Sequence, residues 1–436
     1  MNNIFKAYDI RGVYNKDFDE KTAYKLGKAF VLFLKKSSPK ITIGRDFRAS
    51  SPILFKYLKQ GIIDHGGIVS DISLATTPML YFATCFLKAD GGIMITASHN
   101  PKEYNGFKIV GKNATPISEK TGLLEIKKLL EKEAPKKKGK TIKKSILKEY
   151  IHFASNDFNL KDFDFKIGVD TANAVPSIIV EKLFKKSNLE VFHINKELDE
   201  DFKSHAPDPL TLKNLKQISA LIKKENLDLG IAFDGDGDRI VFLDEKGNPI
   251  SSDIILAVTA DVLGKKVLYD IRCSNIVQEV MQEKAEKSRV GHSFIKKEMK
   301  DKNIYLGGEY SGHFYLNDKY CFEAPFFILF MLLEQMKLSS KKLSEIVKPY
   351  QKYFHSGEIN FKLENRAEVI KKIKSKYKDG KKTQIDGLRI DYDDFWFLVR
   401  LSNTEPVLRL IIEAKTKALL DQKKKELEGL ITPFSS

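Results

Sequence analysis

Residues 40–73, KITIGRDFRASSPILFKYLKQGIIDHGGIVSDIS, hold the pattern that decides the fold. A short apolar run at 40–46 reads as a strand. The stretch 51–66 brings apolar residues back at helical spacing, and 67–73 is apolar and extended again. A strand buries one face and an amphipathic helix one stripe, so the two cover each other, and their alternation is the mark of an α/β unit. The rhythm recurs. Residues 165–173 lead to helix-like 175–187, strand-like 189–195, helix-like 211–227 and strand-like 228–239, and a third cycle runs through 251–264 and 266–272. Three sheets with covering helices are the simplest account.

Working outward, a lysine-rich segment near 134–145 reads as a linker after the first unit, and the turn-rich DEKGNPI at 244–250 closes the second. Beyond 348–358 the order changes to strand, a lysine-rich helix at 366–378, further strands and a final helix, which predicts a small α+β unit ending the chain.

The 436 residues exceed what one ordinary core accommodates and predict two to four domains. Lys and Arg total 74 against 58 acidic residues, a net charge of +16 compatible with nucleic acid, a membrane surface or small anionic substrates. Much of the excess is lysine in helix-like runs such as 127–144 and 421–430, the pattern of solvated faces. Cys85, Cys273 and Cys321 lack paired metal spacing and suit a reducing compartment. No leader-like h-region stands at the start, and the longest apolar run, 324–333, is short of the ~20 residues that span a bilayer. A cytoplasmic protein without membrane or nucleic-acid partners is the expectation.

Four constellations can carry chemistry. In GGIMITASHNPKEYNGFKIVG, residues 91–111, an apolar strand delivers Ser98 to its end, and Pro101 predicts a helix N-terminus whose amides would favour an anion. In FDGDGDRI, Asp234, Asp236 and Asp238 alternate with glycines. Three carboxylates so close repel unless a cation holds them, and an all-oxygen set with room for water and phosphate suits Mg²⁺. A plain acidic turn, or half an EF-hand closed by Glu245, are the competing readings. In LGGEYSGHFYL, Glu309, Ser311 and His313 offer acceptors for sugar hydroxyls, or are the outward polar residues of a hairpin. In VRLSNTEP, Arg400, Ser402, Asn403 and Thr404 can cradle a phosphate, or form a structural turn. Arg11, Arg45, Lys108 and Arg272 are further cations that fit either a site or the surface.

In order along the chain, YDIRG, TASHNP with YNGFKI, DGDGDR, GEYSGH and RLSNTEP resemble the α-D-phosphohexomutases, most closely the bacterial phosphomannomutase/phosphoglucomutase branch. The resemblance spans essentially the whole chain. It implies three related mixed-sheet α/β domains and a smaller, mobile α+β domain around a central cleft: residues 1–143 bearing a phosphoserine, 144–245 binding metal, 246–348 recognising the sugar and 349–436 binding phosphate. It implies that Ser98 carries a phosphoryl group, that Asp234, Asp236 and Asp238 bind Mg²⁺ with it, and that phosphate moves between O1 and O6 of mannose or glucose through a hexose 1,6-bisphosphate. Arg11, His99 and Lys108 would surround the phosphoserine, His99 and Lys108 as acid/base candidates. Arg239 and His292 would reach phosphoserine or substrate, although His292 alone reads equally as a core or capping histidine. Glu309 and Ser311 would bind sugar hydroxyls, and Arg400, Ser402, Asn403 and Thr404 the far phosphate. Arg272 stands where family members commonly carry lysine; it keeps the charge but cannot donate a proton at neutral pH.

Other readings make different demands. A phosphoglucosamine mutase would differ mainly in the substrate loop, where GEYSGH is closer to the mannose/glucose type. A phosphatase would release free phosphate, while a silent sugar-phosphate sensor would need neither Ser98 nor the aspartates. A nucleic-acid binder would need a basic-aromatic recognition module, which is missing. The expected partners are small hexose phosphates, with the chain a monomer or weak homodimer.

Overall fold

The computed structural model describes residues 4–185, 187–362, 366–401 and 407–434. Each of the first three units is a mixed sheet with one shared plan. Parallel strands lie at its centre, and the last of them turns directly into an antiparallel neighbour. In the first sheet the parallel strands are Lys40–Arg45, Ile68–Leu74 and Gly91–Ile95. Tyr104–Gly111 returns antiparallel beside the third and pairs in turn with Ile10–Val13. In the second, Leu229–Phe233 lies parallel to Lys166–Asp170 and turns into Ile240–Leu243. In the third, Leu306–Gly308 lies parallel to Val267–Asp270 and turns into Phe314–Asn317.

The physical consequence is positional. Ser98, the aspartate trio and Glu309–His313 occupy the equivalent loop of three units, the one connecting the last parallel strand to its antiparallel neighbour. That loop leaves the C-terminal edge of the sheet, where α/β proteins gather their chemistry.

Two segments depart from the sequence reading. The lysine-rich linker contributes a strand, Lys140–Lys143, parallel to Ile68–Leu74 and wholly exposed. Backbone pairing fixes it there, and its lysines guard a sheet edge against other chains. The turn at 244–250 ends in Pro249–Ile250, which pairs back onto Ile240–Leu243 and so belongs to the second sheet.

The helix Thr77–Phe86 is capped by Thr76, whose hydroxyl accepts from the Met79 amide, and it opens with Pro78. Its buried face packs into a hydrophobic core that all three units share, from Phe82 of the first through Phe163, Phe184 and Phe233 of the second to Phe326 and Phe330 of the third. The apolar run at 324–333 lies in the helix Pro325–Ser339 at the centre of that core. Among the described residues, no helix is long and apolar enough to cross a membrane. The C-terminal unit is an antiparallel sheet built on Leu388–Asp391, Phe395–Leu401 and Val407–Ala414, with helices Arg366–Lys376 and Lys417–Ile431 and a separate core.

Candidate active site

Ser98 is 2% exposed and has a left-handed backbone, φ 52°. The Thr96 hydroxyl accepts its amide at 2.9 Å. No helix follows. The Tyr104 amide donates to the Pro101 carbonyl at 3.1 Å, the chain reverses, and Tyr104–Gly111 runs back as a strand. Pro101 suits this turn as well as a first helical turn, since both leave its missing N–H unneeded.

The first and second units meet at Ser98. Its hydroxyl donates to Asp234 Oδ2 at 2.7 Å and lies 3.2 Å from His99 Nδ1. Asp234, Asp236 and Asp238 are all buried, with ligand atoms within 4.8 Å of one another. Gly237, at φ 69°, turns the loop, and a Cβ on Gly235 would collide with the Ser98 carbonyl oxygen. Lys108, on the returning strand, bonds Asp236 Oδ2 at 2.7 Å and also Asp238. Thr77, at the start of its helix, donates its hydroxyl to Asp236 Oδ2 at 2.5 Å and its amide to the Asp236 carbonyl at 2.9 Å. Asp236 Oδ1 is buried with no hydrogen-bond partner among the described residues. An unmatched, dehydrated carboxylate oxygen is costly unless a cation takes it, so the cluster fits a hard divalent ion. Glu245 is turned away, accepting from the Ser344 hydroxyl at 2.6 Å, and the strand Ile240–Leu243 separates it from the trio; the EF-hand reading fails.

The third unit's loop closes on the second. The Ile240 amide donates to the Gly312 carbonyl at 3.1 Å, and Arg239 and His313 pair as a β-bridge. His313 lies between Asp238 Oδ1 and Glu309 Oε2, 3.2 Å from each, while the Ser311 hydroxyl approaches its Nδ1 at 3.0 Å. Glu309 also accepts from the Gly291 amide at 2.9 Å and the Tyr315 hydroxyl at 2.6 Å. Arg272 is held by Asp270 at 2.7 Å and stands 3.8 Å from Glu309. His292 begins the helix His292–Lys302, and Arg11 bonds Asp9 and, at 2.6 Å, Asn100 Oδ1. Arg400, on the C-terminal sheet, donates to Asp386 at 2.8 Å. Ser402, Asn403 and Thr404 lie outside the described residues.

These neighbours set the charge states. Burial opposes charge on Asp238, yet Lys108 and His313 outweigh it and hold the carboxyl well below its usual range. Burial, with Asp238 and Asp236 beside it, pushes Asp234 well above. Lys108 is held protonated against burial by the three aspartates. Burial likewise opposes a charged His313, but Asp238 and Glu309 raise it to about 9. Burial, then the cations Arg239 and Arg11, keeps His99 neutral; burial, then Lys296 and Lys108, does the same for His292.

One cavity of about 370 Å³ is lined by Arg11, Ser98, His99, Lys108, Arg239, Arg272, His292, Glu309, Ser311 and Arg400, with the aspartates beneath its floor. Arg45 is elsewhere, facing a surface depression beside Lys143 and Lys144. Tyr8, Asp9 and Arg409 also line the cavity and were not anticipated from sequence. For Arg409 the signal was available: a lone arginine in the apolar strand VLRLIIEA is placed there for a reason.

Comparison with known proteins bears directly on this geometry. Models of the phosphoglucomutase/phosphomannomutase alpha/beta/alpha domains I, II and III match residues 2–137, 148–247 and 251–353, and that of the C-terminal domain matches 358–430. A phosphomannomutase of Methanocaldococcus jannaschii is 40% identical over 99% of this chain and 98% of its own. A phosphomannomutase/phosphoglucomutase of Pseudomonas syringae is 36% identical over 96% and 93%. A crystal structure of a phosphoglucomutase/phosphomannomutase family protein from Burkholderia thailandensis superposes with a TM-score of 0.91 at 29% identity, covering 100% of this chain and 99% of that one.

Proposed function

The chain belongs to the phosphoglucomutase/phosphomannomutase family, and on that footing we propose that it moves a phosphoryl group between O1 and O6 of mannose or glucose phosphate with Ser98 as carrier. It is a phosphohexomutase. One observation carries the assignment of the site: the Ser98 hydroxyl of the first unit meets the Asp234 carboxylate of the second at 2.7 Å beside the cavity. A hydroxyl bound to a crowded acidic cluster is arranged for a group that brings its own negative charge together with a cation.

Asp234, Asp236 and Asp238 would hold Mg²⁺, which neutralises charge on phosphoryl oxygens during transfer. Phospho-Ser98 passes its group to the free hydroxyl of a hexose 1- or 6-phosphate. The resulting 1,6-bisphosphate turns over in the cavity and returns its other phosphate to Ser98. Hexose 1,6-bisphosphate added from outside charges Ser98 in the same way, and so acts as activator. In each transfer the attacking hydroxyl loses a proton and the departing oxygen gains one, so the proton passes between the sugar hydroxyl and Ser98 Oγ, and His99, 3.2 Å from Oγ, is placed to relay it. Lys108, Arg11 and Arg239 balance phosphate charge. His313 stands protonated at the cavity wall, its two ring nitrogens spent on Asp238 and on Glu309 with Ser311, and so holds the sugar loop against the aspartate loop. Glu309 and Ser311 receive sugar hydroxyls, His292 and Arg272 flank them, and Arg400 with Ser402, Asn403, Thr404 and Arg409 holds the distal phosphate.

Phosphorus NMR tests this reading. With Mg²⁺ and catalytic hexose 1,6-bisphosphate, the O1 and O6 esters of mannose or glucose interconvert and inorganic phosphate does not accumulate. Accumulation of phosphate without isomerised ester overturns the mutase reading, and preferential turnover of glucosamine phosphate overturns the sugar assignment.

A further inference from the structure

Arg48, in GRDFRASS, belongs to none of the motifs above and does not line the cavity, yet it is 1% exposed. A guanidinium has five N–H donors, and here every one is engaged. Nε reaches Asp46 Oδ2 at 3.1 Å. Nη1 donates to the carbonyls of Pro101 at 2.6 Å and Tyr104 at 3.2 Å; Nη2 donates to those of Ser98 and Asn100, each at 2.7 Å. Four of the five bonds thus go to main-chain oxygens of one stretch, 98–104. Asp46 is itself fixed, accepting from the Arg48 amide at 3.1 Å and the Ser51 hydroxyl at 2.5 Å. Phe202, from the second unit, covers the guanidinium, its ring centre 4.9 Å from Cζ.

Burying such a cation costs several kcal/mol unless its donors are met, so the interaction rewards one loop shape above others. That shape is strained: a left-handed non-glycine residue costs about 1–2 kcal/mol and persists only where its surroundings over-determine it. The Ser98 carbonyl is pinned between Arg48 and the space left by Gly235, which ties the serine loop to the aspartate loop. Carbonyl oxygens drawn toward Arg48 are also drawn away from Ser98 Oγ, where an anionic phosphoryl group would be repelled by them.

We propose that Arg48 is a positioning residue for phosphoryl transfer, locking residues 98–104 so that Ser98 Oγ meets Asp234 without itself touching substrate. The inference rests on Ser98 being the carrier. Charge alone does not suffice, since a lysine ammonium has three donors in a compact cluster and cannot span four carbonyls and Asp46.

The test compares wild type, Arg48→Lys and Phe202→Leu as full-length proteins with Mg²⁺ and glucose 1,6-bisphosphate. The rate of Ser98 phosphorylation is read by quenched intact mass, beside kcat, KM and Tm. A displaced reacting atom costs up to about 10²-fold, so Arg48→Lys is expected to slow phosphorylation and kcat by about 30- to 100-fold with KM within about two-fold. Phe202→Leu, which leaves the donors intact, is expected to lose about 3- to 10-fold in the same terms; it carries the test alone if Arg48→Lys does not fold. Wild-type phosphorylation rates in the folded variants, or a loss confined to KM, overturn the proposal. A wild-type protein that never gains phosphate on Ser98 overturns the carrier reading instead.

Discussion

The first three units and the fourth are joined in physically different ways. The first three share one continuous core, in which Phe82, Phe184 and Phe330 stand on helices of three units but in one cluster. The C-terminal sheet closes its own core around Val369, Phe397, Leu410 and Leu427. It meets the third unit through a small patch, Trp396, Leu398 and Ile411 against Ile271. Polar bonds supplement that patch: Arg389 donates to the Ile271 carbonyl at 2.9 Å, and Glu413 accepts both the Asn275 amide and the Trp396 indole N–H, at 2.9 and 2.6 Å. Inter-unit contacts of this mixed kind permit relative motion, while a shared apolar core forbids it. Groups that must align within fractions of an ångström stand on the fused body. The group proposed to grip a distal phosphate stands on the one with its own core, where opening would admit substrate and closing would exclude water.

The division predicts a graded set of effects. Ser98→Ala removes the proposed acceptor of the phosphoryl group from the fused body, and turnover falls by about 10⁴-fold or more. Tm stays within about 2 °C, because only a hydroxyl at the cluster's edge is lost. A coupled mutase assay beside calorimetry checks both. Asp236→Asn leaves Thr77 and Lys108 their partner oxygen but removes one of the three carboxylate charges available to a cation; kcat falls by about 10²- to 10³-fold and the Mg²⁺ concentration for half activity rises. A metal titration reads this, and unchanged Mg²⁺ dependence would detach the trio from metal binding.

On the other side of the cleft the signature changes. Arg400→Ala removes a charged hydrogen bond worth about 1.5–3 kcal/mol, so KM for hexose phosphate rises by about 10- to 100-fold while kcat falls less. Steady-state kinetics separates the two constants. Should Arg400→Ala lower kcat alone, the split between chemistry and recognition breaks down.

The sequence made the fused body legible because its signals are local. An apolar strand ending in a polar or glycine-rich loop occurs at Ser98, Asp234 and Glu309, and all three loops take the same place in their sheets. Long-range partners stayed hidden. Arg48 stands outside every motif, and only the fold closes Pro101, Tyr104 and Phe202 around it, while His313 reads as a hairpin residue until Asp238 arrives from another unit. The helix expected after Ser98 failed because Pro101 fits a turn equally well, and pairing to strands on both sides then decides for a strand. Lys140–Lys143 carries no apolar alternation at all; only its neighbour makes it a strand. At the phosphate cradle, Ser402, Asn403 and Thr404 remain a reading of sequence and resemblance.

The smallest effect probes whether the fourth sheet is thermodynamically its own. Glu426 joins the two helices of that unit, bonding Lys376 at 2.8 Å and Lys423 at 3.0 Å. Burial works against its charge, but the two lysines hold it down, from an ordinary 4.5 to about 2. A depressed carboxyl stabilises the fold fully above about pH 4.5, and that contribution is lost as pH falls toward 2, because the unfolded chain takes up the proton first. Glu426→Gln should therefore lower the midpoint of the C-terminal unit by about 2–4 °C at pH 7, the modest size expected of a solvent-touched ion pair, with the difference shrinking below pH 4. The chain has a single tryptophan, Trp396, and it lies in this unit, so its fluorescence reports the transition directly. If the fused body unfolds independently, the far-ultraviolet circular dichroism of its larger share of helix keeps its own midpoint in the variant. If both signals shift together, the small patch around Ile271 couples the units into one cooperative structure, and any opening of the cleft would have to arise from bending within that structure, without release of the C-terminal sheet.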